Sequence, residues 1–288
     1  MMKKSNLYFL LITSQLAVLS TSVLSDDKNP TDATDRVNRK YDFKPILLDS
    51  ENTDSSTLGI QYNFSDSLFN KNYDTEDAPD CSTFPCPKTV VGSAKVTYDL
   101  KGTFTENADN NPKNFIETNI NGSYFKASMD STLIWSGGIF LKYETDQKFN
   151  NKQLVYGLNG AISNRNIFHN KDFAFVQISL GTIDPSEDIA RENIIGNSID
   201  SYERVDFELI YKFIINKGLL DTFEVNYRYF KELSPDPEIK KASLDDFRLI
   251  TYRLGLTNNM YIAYSSGELP FNQKDNQIYE VGYTYNFD

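Results

Sequence analysis

The chain reads as an all-β protein: a transmembrane antiparallel up-and-down β-barrel of about twelve strands, occupying residues 41–288. Three observations lead there: apolar and polar residues alternate with a period of two, the alternating segments are long, and the links between them vary between short and long. Successive side chains of a strand point to opposite faces, so this period gives each strand one greasy and one polar face. Phe223-Glu224-Val225-Asn226-Tyr227-Arg228-Tyr229 places Phe, Val and two Tyr on one side, and Glu, Asn and Arg on the other. Val205 to Phe213 repeats the pattern with one lapse at Ile210, and Tyr279 to Phe287 repeats it without error. The 18 Tyr and 20 Phe among 288 residues are too many for a disordered chain. A net charge of -11 excludes nucleic acid as the partner, since phosphate neutralisation needs a basic surface.

From the N-terminus, Lys3 and Lys4 precede the apolar runs Leu7 to Ile12 and Leu16 to Leu19, followed by Val23-Leu24-Ser25. A charged start, an apolar middle and a small residue at the cut predict an export signal over residues 1–25. The run is shorter than the roughly 20 residues of a spanning helix. Residues 26–40 form a mixed-charge polar tail. Export makes a disulfide between Cys81 and Cys86 plausible chemistry, closing a small loop; zinc-type Cys spacing is missing. Alternation predicts strands near 57–66, 90–104, 114–127, 132–144, 152–163 and 172–182. Others fall near 201–215, 222–232, 244–256, 259–266 and 276–287, with a weaker one at 41–49 interrupted by Pro45. Many reach the roughly 9–11 residues that cross a bilayer at a tilt. An even strand number is expected of a single-chain bacterial barrel, which retains the weak segment in the count.

Alternating strands also build soluble sandwiches, whose apolar faces meet each other instead of lipid. Connectors decide for the barrel. Thr257-Asn258, Asn216-Lys217-Gly218 and Ser128 to Ser131 are tight, whereas 183–200, 232–243 and 267–275 are long. Tight turns on one side and long loops on the other are the barrel asymmetry. The Cys81–Cys86 loop fits this scheme poorly, being long on the short-turn side. Tyr98, Tyr124, Trp135, Tyr143, Tyr156, Tyr211, Tyr229, Tyr264 and Tyr283 fall on the outward positions, many towards strand ends, as interfacial girdles require. The last residues, Glu280-Val281-Gly282-Tyr283-Thr284-Tyr285-Asn286-Phe287, resemble the C-terminal targeting signal of bacterial outer-membrane β-barrels. Glu280, Gly282, Tyr285 and Phe287 fill its places, and the trailing Asp288 departs from it. The resemblance implies a Gram-negative outer membrane, lipid around the strands, and recognition of the last strand by the barrel-assembly machinery.

The inward positions carry Lys95, Lys101, Lys142, Arg204, Lys212, Arg228 and Arg253, together with Asp99, Glu117, Glu144, Asp206, Glu208, Glu224 and Glu280. Charges facing lipid are costly, so their confinement to one face predicts a wet or internally paired lumen. The equal signs leave two readings: a porin-like channel passing small hydrophilic solutes, or a closed structural barrel that acts through its extracellular loops. The acidic stretch 183–200, with Asp184, Glu187, Asp188, Glu192 and Asp200 against Arg191, is expected to be solvated. A barrel-wall hydrolase would need a base beside a nucleophile. The one histidine, His169, lies in a connector near Asn159, Ser163 and Asn164, without a motif around it, so no enzyme is expected. No cofactor or metal signature is present.

Overall fold

The computed structural model describes residues 40–50, 56–77, 88–106, 113–127, 133–168, 172–196, 199–271 and 276–286. The expected export signal and all but the last residue of the polar tail lie outside the described residues, as do Cys81, Cys86, His169 and Phe287. Twelve strands follow one another: β1 (Lys40–Ser50), β2 (Thr57–Asp77), β3 (Lys88–Thr105), β4 (Ile116–Ala127), β5 (Ile134–Thr145) and β6 (Lys152–Arg165). Then come β7 (Phe173–Glu187), β8 (Tyr202–Lys217), β9 (Leu220–Leu233), β10 (Asp246–Leu256), β11 (Met260–Gly267) and β12 (Asn276–Tyr283, resuming at Tyr285–Asn286). Each pairs antiparallel with its neighbours in sequence, and β1 pairs with β12, so the sheet closes on itself. Closure leaves no edge of unpaired backbone groups.

The weakest segment of the sequence is the strand that closes the ring. Ile46 lies opposite Gly282 and Ser50 opposite Ile278, while Asp42 lies opposite Asn286 and Phe43 opposite Tyr285. One register holds on both sides, which sets Pro45 and Lys44 against Tyr283 and Thr284, where β12 lapses. Proline has no N–H to give to a ladder. The Thr284 N–H donates instead to the Asn259 carbonyl at 2.8 Å.

Tight links join one end of the barrel, the longer 78–87 link between β2 and β3 excepted. Gly218 (φ 64°) and Asn258 (φ 73°) take the left-handed conformation that their turns between β8 and β9 and between β10 and β11 need. The other end carries the long links, and two of them hold short helices that the period-two reading did not anticipate. α1 (Ile189–Ile195) starts where the Asp188 carboxylate accepts the Arg191 backbone N–H at 3.1 Å, and it ends at Gly196 in the left-handed region. α2 (Pro237–Lys241) has proline at its start and Lys240 and Lys241 at its C-terminal end. β2 also exceeds expectation, running to Asp77 instead of ending near residue 66. Its pairing with β3 slips between Ser67 and Phe69, between Asn72 and Asp74, and between Asp74 and Thr75. Each slip resets which side chain faces which way, so the alternation is lost although the strand continues.

The faces divide as barrel geometry requires. Ile139, Leu158, Ile178 and Trp135 are exposed on the outside, and Phe207, Val225 and Tyr283 share that face, alternating with Asp206, Glu224 and Glu280 on the inside. Tyr124 and Trp135, 6.4 Å between ring centroids, form part of an aromatic belt towards the tight turns. The interior is packed towards the long links. Ile46, Leu48, Tyr261, Ala263 and Ile278 cluster beside the seam, and Phe140, Val155 and Ile183 cluster on the neighbouring strands β5, β6 and β7. Tyr261 stands directly across from Gly282, and its ring lies where a Cβ on that glycine would fall, 2.5 Å away.

Gly282→Ala should therefore destabilise the folded barrel by about 1–3 kcal/mol through overpacking. A lower urea midpoint in detergent micelles, followed by the gel shift between unheated and boiled protein, measures this. In a Tyr261→Ala background the same glycine change should add little, because the ring it strikes is gone.

Candidate functional site

The inward charges are drawn together into ion pairs that run across the lumen. On β8, the Arg204 guanidinium donates to Glu144 Oε1 at 2.8 Å and to Asp206 Oδ1 at 2.6 Å. Lys142 on β5 reaches Asp206 at 3.2 Å, and Gln153 donates to the other Glu144 oxygen at 2.6 Å. Glu117 on β4 takes Lys101 of β3 at 3.3 Å and Arg228 of β9 at 3.1 Å. β4 and β9 stand nearly opposite in a ring of twelve, so the Arg228–Glu117 pair is a crossbar. Glu280 is held by Lys113 and the Tyr261 hydroxyl. Arg253 lies 3.6 Å from Glu224, Glu208 accepts from Asn226 at 3.3 Å, and Asp99 accepts from Asn119 at 3.4 Å. Lys212 stands opposite Glu224 in the register of β8 and β9, and Lys95 opposite Ser123 in that of β3 and β4. Glu144, Glu117 and Glu280 are almost fully buried. A buried carboxylate survives only when cations and donors replace its lost water, and each of these three has at least two such partners.

Above the crossbar lies a roof. Phe115 from the β3–β4 link, Phe230, Leu249, Leu269 and Ile239 of α2 form one apolar cluster, with Ala190 and Ile195 of α1 packed against it. Phe115 contacts Phe230 across the mouth at 6.2 Å and Phe271 at 6.0 Å between centroids. The roof rests on cations: the Arg228 guanidinium lies 5.4 Å from the Phe115 ring and 5.0 Å from Phe230, and Arg204 lies 5.0 Å from Phe230. Arg191 pins the two helical links together. It reaches Asp188 at 3.4 Å, Glu232 at 2.8 Å and the Leu244 carbonyl at 2.7 Å, with its guanidinium 4.3 Å from the centre of the Tyr202 ring. Burial lifts the Asp188 carboxyl above the ordinary aspartate range against the opposing pull of Arg191 and the helix amides. The acidic stretch is thus not all solvated: Asp188 and Arg191 are interior groups of the roof.

Beneath the crossbar the interior opens into a cavity of about 630 Å³, bounded by Gln61, Asn119, Asn121, Phe175, Asn226 and Arg253 among others, and extending to Phe173 and Lys212 near the tight turns. Four fully buried polar atoms of residues along its wall have no protein partner: Gln61 Oε1, Asn119 Oδ1, Asn226 Oδ1 and Arg253 Nε. Asn159, considered above beside His169, donates to Asn121 at 3.2 Å. Among the described residues no group of three or more His, Cys, Asp or Glu side chains is placed to hold a metal. Of the C-terminal signal residues, Glu280 and Gly282 lie on the inner face at the seam, and Tyr285 stands opposite Phe43. Lys113, Phe115 and Glu232 were not singled out in the sequence, and Arg191 only as the cation of a stretch expected to be solvated. Lys113, Phe115 and Arg191 lie in connectors or a connector helix, where no period marks a face, and Glu232 comes at the end of a strand.

The chain has the architecture of a bacterial outer-membrane β-barrel. No protein-family model and no curated protein matches it. Solved structures resemble it distantly. The NanC porin aligns at 9% identity and a TM-score of 0.48, over 86% of this chain and all of that one. The outer-membrane channel DcaP of Acinetobacter baumannii aligns at 8% identity and a TM-score of 0.41, over 86% and 96% of the two chains. The translocator domain of the autotransporter NalP from Neisseria meningitidis aligns at 10% identity and a TM-score of 0.32, over 98% and 97%. At such identities the barrel assignment rests on the strand pairing itself.

Arg204→Ala would leave Glu144 and Asp206 buried with too few cations, at a cost of about 3–5 kcal/mol. Urea titration of the detergent-folded barrel should show that loss. Arg204→Lys should recover part of it, since one amine cannot reproduce the forked contact.

Proposed function

We propose that this barrel is a narrow, gated channel for small hydrophilic solutes in a Gram-negative outer membrane. The carrying observation is the lower lumen: a cavity of about 630 Å³ lined by charged and amide side chains, among them Asp99, Lys101, Asn119, Asn226 and Arg253. Leaving such a wall dry would cost its charged and amide groups their hydration, so it holds water. Water in the lower lumen supplies most of a pathway, and the crossbar and roof supply its gate. Residues 1–25 serve as the export signal in this reading, the apolar outer face meets lipid, and the last strand with Glu280, Gly282, Tyr285 and Phe287 engages the barrel-assembly machinery. A second reading, a closed barrel acting through its extracellular links, is favoured by the Arg228–Glu117 crossbar and the apolar roof.

Conductance across a planar bilayer separates the two. The native barrel should give brief, infrequent current steps. The paired change Arg228→Ala with Glu117→Ala removes the crossbar without changing net charge, and it should lengthen and enlarge the steps. A paired variant that folds, shown by its compact unheated band, yet passes no current at any voltage would favour the closed barrel.

A further inference from the structure

We infer that the lower lumen favours small solutes carrying a hydrocarbon group on an ionic head over equally small solutes that are polar throughout. This rests on the channel reading and narrows its cargo. The alternation of β8 has one lapse, Ile210, and its place in the barrel gives that lapse a use. Asp206, Glu208, Ile210 and Lys212 lie on one face of β8, and Asp206 meets Lys142 inside the barrel, so Ile210 points into the lumen. The facing row of β7 is irregular in the same way. From Ser179, opposite Asp206, it runs through Gln177 opposite Glu208 to Phe175 opposite Ile210 and Phe173 opposite Lys212. All three apolar side chains border the cavity and are only partly buried. They belong to none of the three apolar clusters that pack the interior.

Hydrocarbon grouped on a wall that faces water is unfavourable until something apolar covers it, and such patches mark ligand surfaces. The neighbours of this one are polar. Glu208 and Lys212 flank Ile210 along β8, and Asn226 stands opposite it on β9. An apolar surface edged by a few charged and amide groups is the usual make-up of a small-molecule site, and about 630 Å³ is a usual size. A solute polar on every side loses water over Phe173, Phe175 and Ile210 and gains nothing there. A solute with a compact hydrocarbon group covers the patch, while its ionic head stays among Glu208, Lys212 and the cavity water.

Liposome swelling tests this with leucine and glutamine, zwitterions of nearly equal size that share one head group. Full-length mature barrel, native and with the Arg228→Ala/Glu117→Ala pair, is reconstituted, and entry into protein-free liposomes is subtracted. Leucine should enter the native barrel about fourfold faster than glutamine, the factor that covering roughly one methylene group supplies. Phe175→Gln with Ile210→Thr should bring that ratio down towards one. Phe175→Leu with Ile210→Val keeps the patch apolar and should hold it. The ratio does not depend on how much protein folds, so a poorly folding variant does not spoil the comparison. Equal entry of both solutes through the native barrel overturns the selectivity while leaving the channel intact. So does a ratio unchanged in the polar pair, or lost as fully in the apolar pair. No entry of either solute, even through the variant without its crossbar, overturns the channel and this inference with it.

Discussion

Hydrocarbon offers nothing to a peptide N–H or C=O, so a chain that crosses it with strands must pair every strand on both sides. Everything else in this molecule follows from that requirement being met at one place, the contact of β1 with β12. The other strand pairs are joined by connectors and can form as local hairpins. The seam unites the two ends of the barrel domain, and β12 is among the shortest strands, with eight residues before its lapse. Pro45 costs the seam a ladder bond at that lapse. Side-chain packing inside the seam offsets the loss: Ile46, Leu48 and Ile278 are almost wholly buried there, and the Tyr261 ring covers Gly282. The C-terminal residues that resemble a targeting signal are therefore also the residues that close the finished ring.

A closed ring of twelve strands creates a second problem, an interior too wide for side chains from one wall to fill. This chain solves it differently at its two ends. Towards the long links the interior is packed: three apolar clusters, two helices and the Arg191 clamp bring connector residues inward until Phe115 meets Phe230. At mid-height, long charged side chains span what apolar ones could not. Arg204, Arg228 and Lys142 have the reach to meet carboxylates on distant strands, and the two guanidiniums lie against the Phe115 and Phe230 rings of the roof. Towards the tight turns the wall carries amides, phenylalanines and charged groups such as Lys212 and Glu224 around a cavity of about 630 Å³.

How much of this the amino-acid order discloses follows from which interactions are local. Alternation is local, so strand identity, the inner and outer faces, and even the weak β1 are readable from runs of ten residues. Bulges are local too but destroy the signal, which is why β2 looks as though it ends near residue 66 when its pairing continues to Asp77. Pairing across the lumen is not local. That Glu117 meets Arg228 depends on β4 and β9 being five places apart in a ring of known size, and no spacing along the chain encodes it. The connector residues that complete the interior are hidden for another reason. Lys113 and Arg191 stand among polar neighbours in segments without a period, and only the fold turns them inward. Asp188 shows the same effect: one carboxylate in an acidic stretch becomes a helix cap and an ion-pair partner, while Glu192 and Asp200 remain in solvent.

In the channel reading proposed above, the crossbar would reconcile a stable barrel with a lumen that opens. A buried pair broken outright strands a charge, and that cost would hold the gate shut. Glu117, however, has two cations, Lys101 at 3.3 Å from its neighbouring strand and Arg228 at 3.1 Å from across the lumen. Arg228 can swing away and leave the carboxylate still paired along the wall. Glu208 lies on β8, beside β9, opposite Arg228 in the strand register, so the guanidinium has a second carboxylate on its own side. Exchanging a partner across the lumen for one beside it changes the width of the passage without leaving either ion alone. The Phe115 and Phe230 rings rest on the same guanidinium, so its movement removes a support of the roof as well. In that reading, width at mid-height and closure at the mouth would be coupled through one arginine, which touches both the crossbar carboxylate and the roof rings.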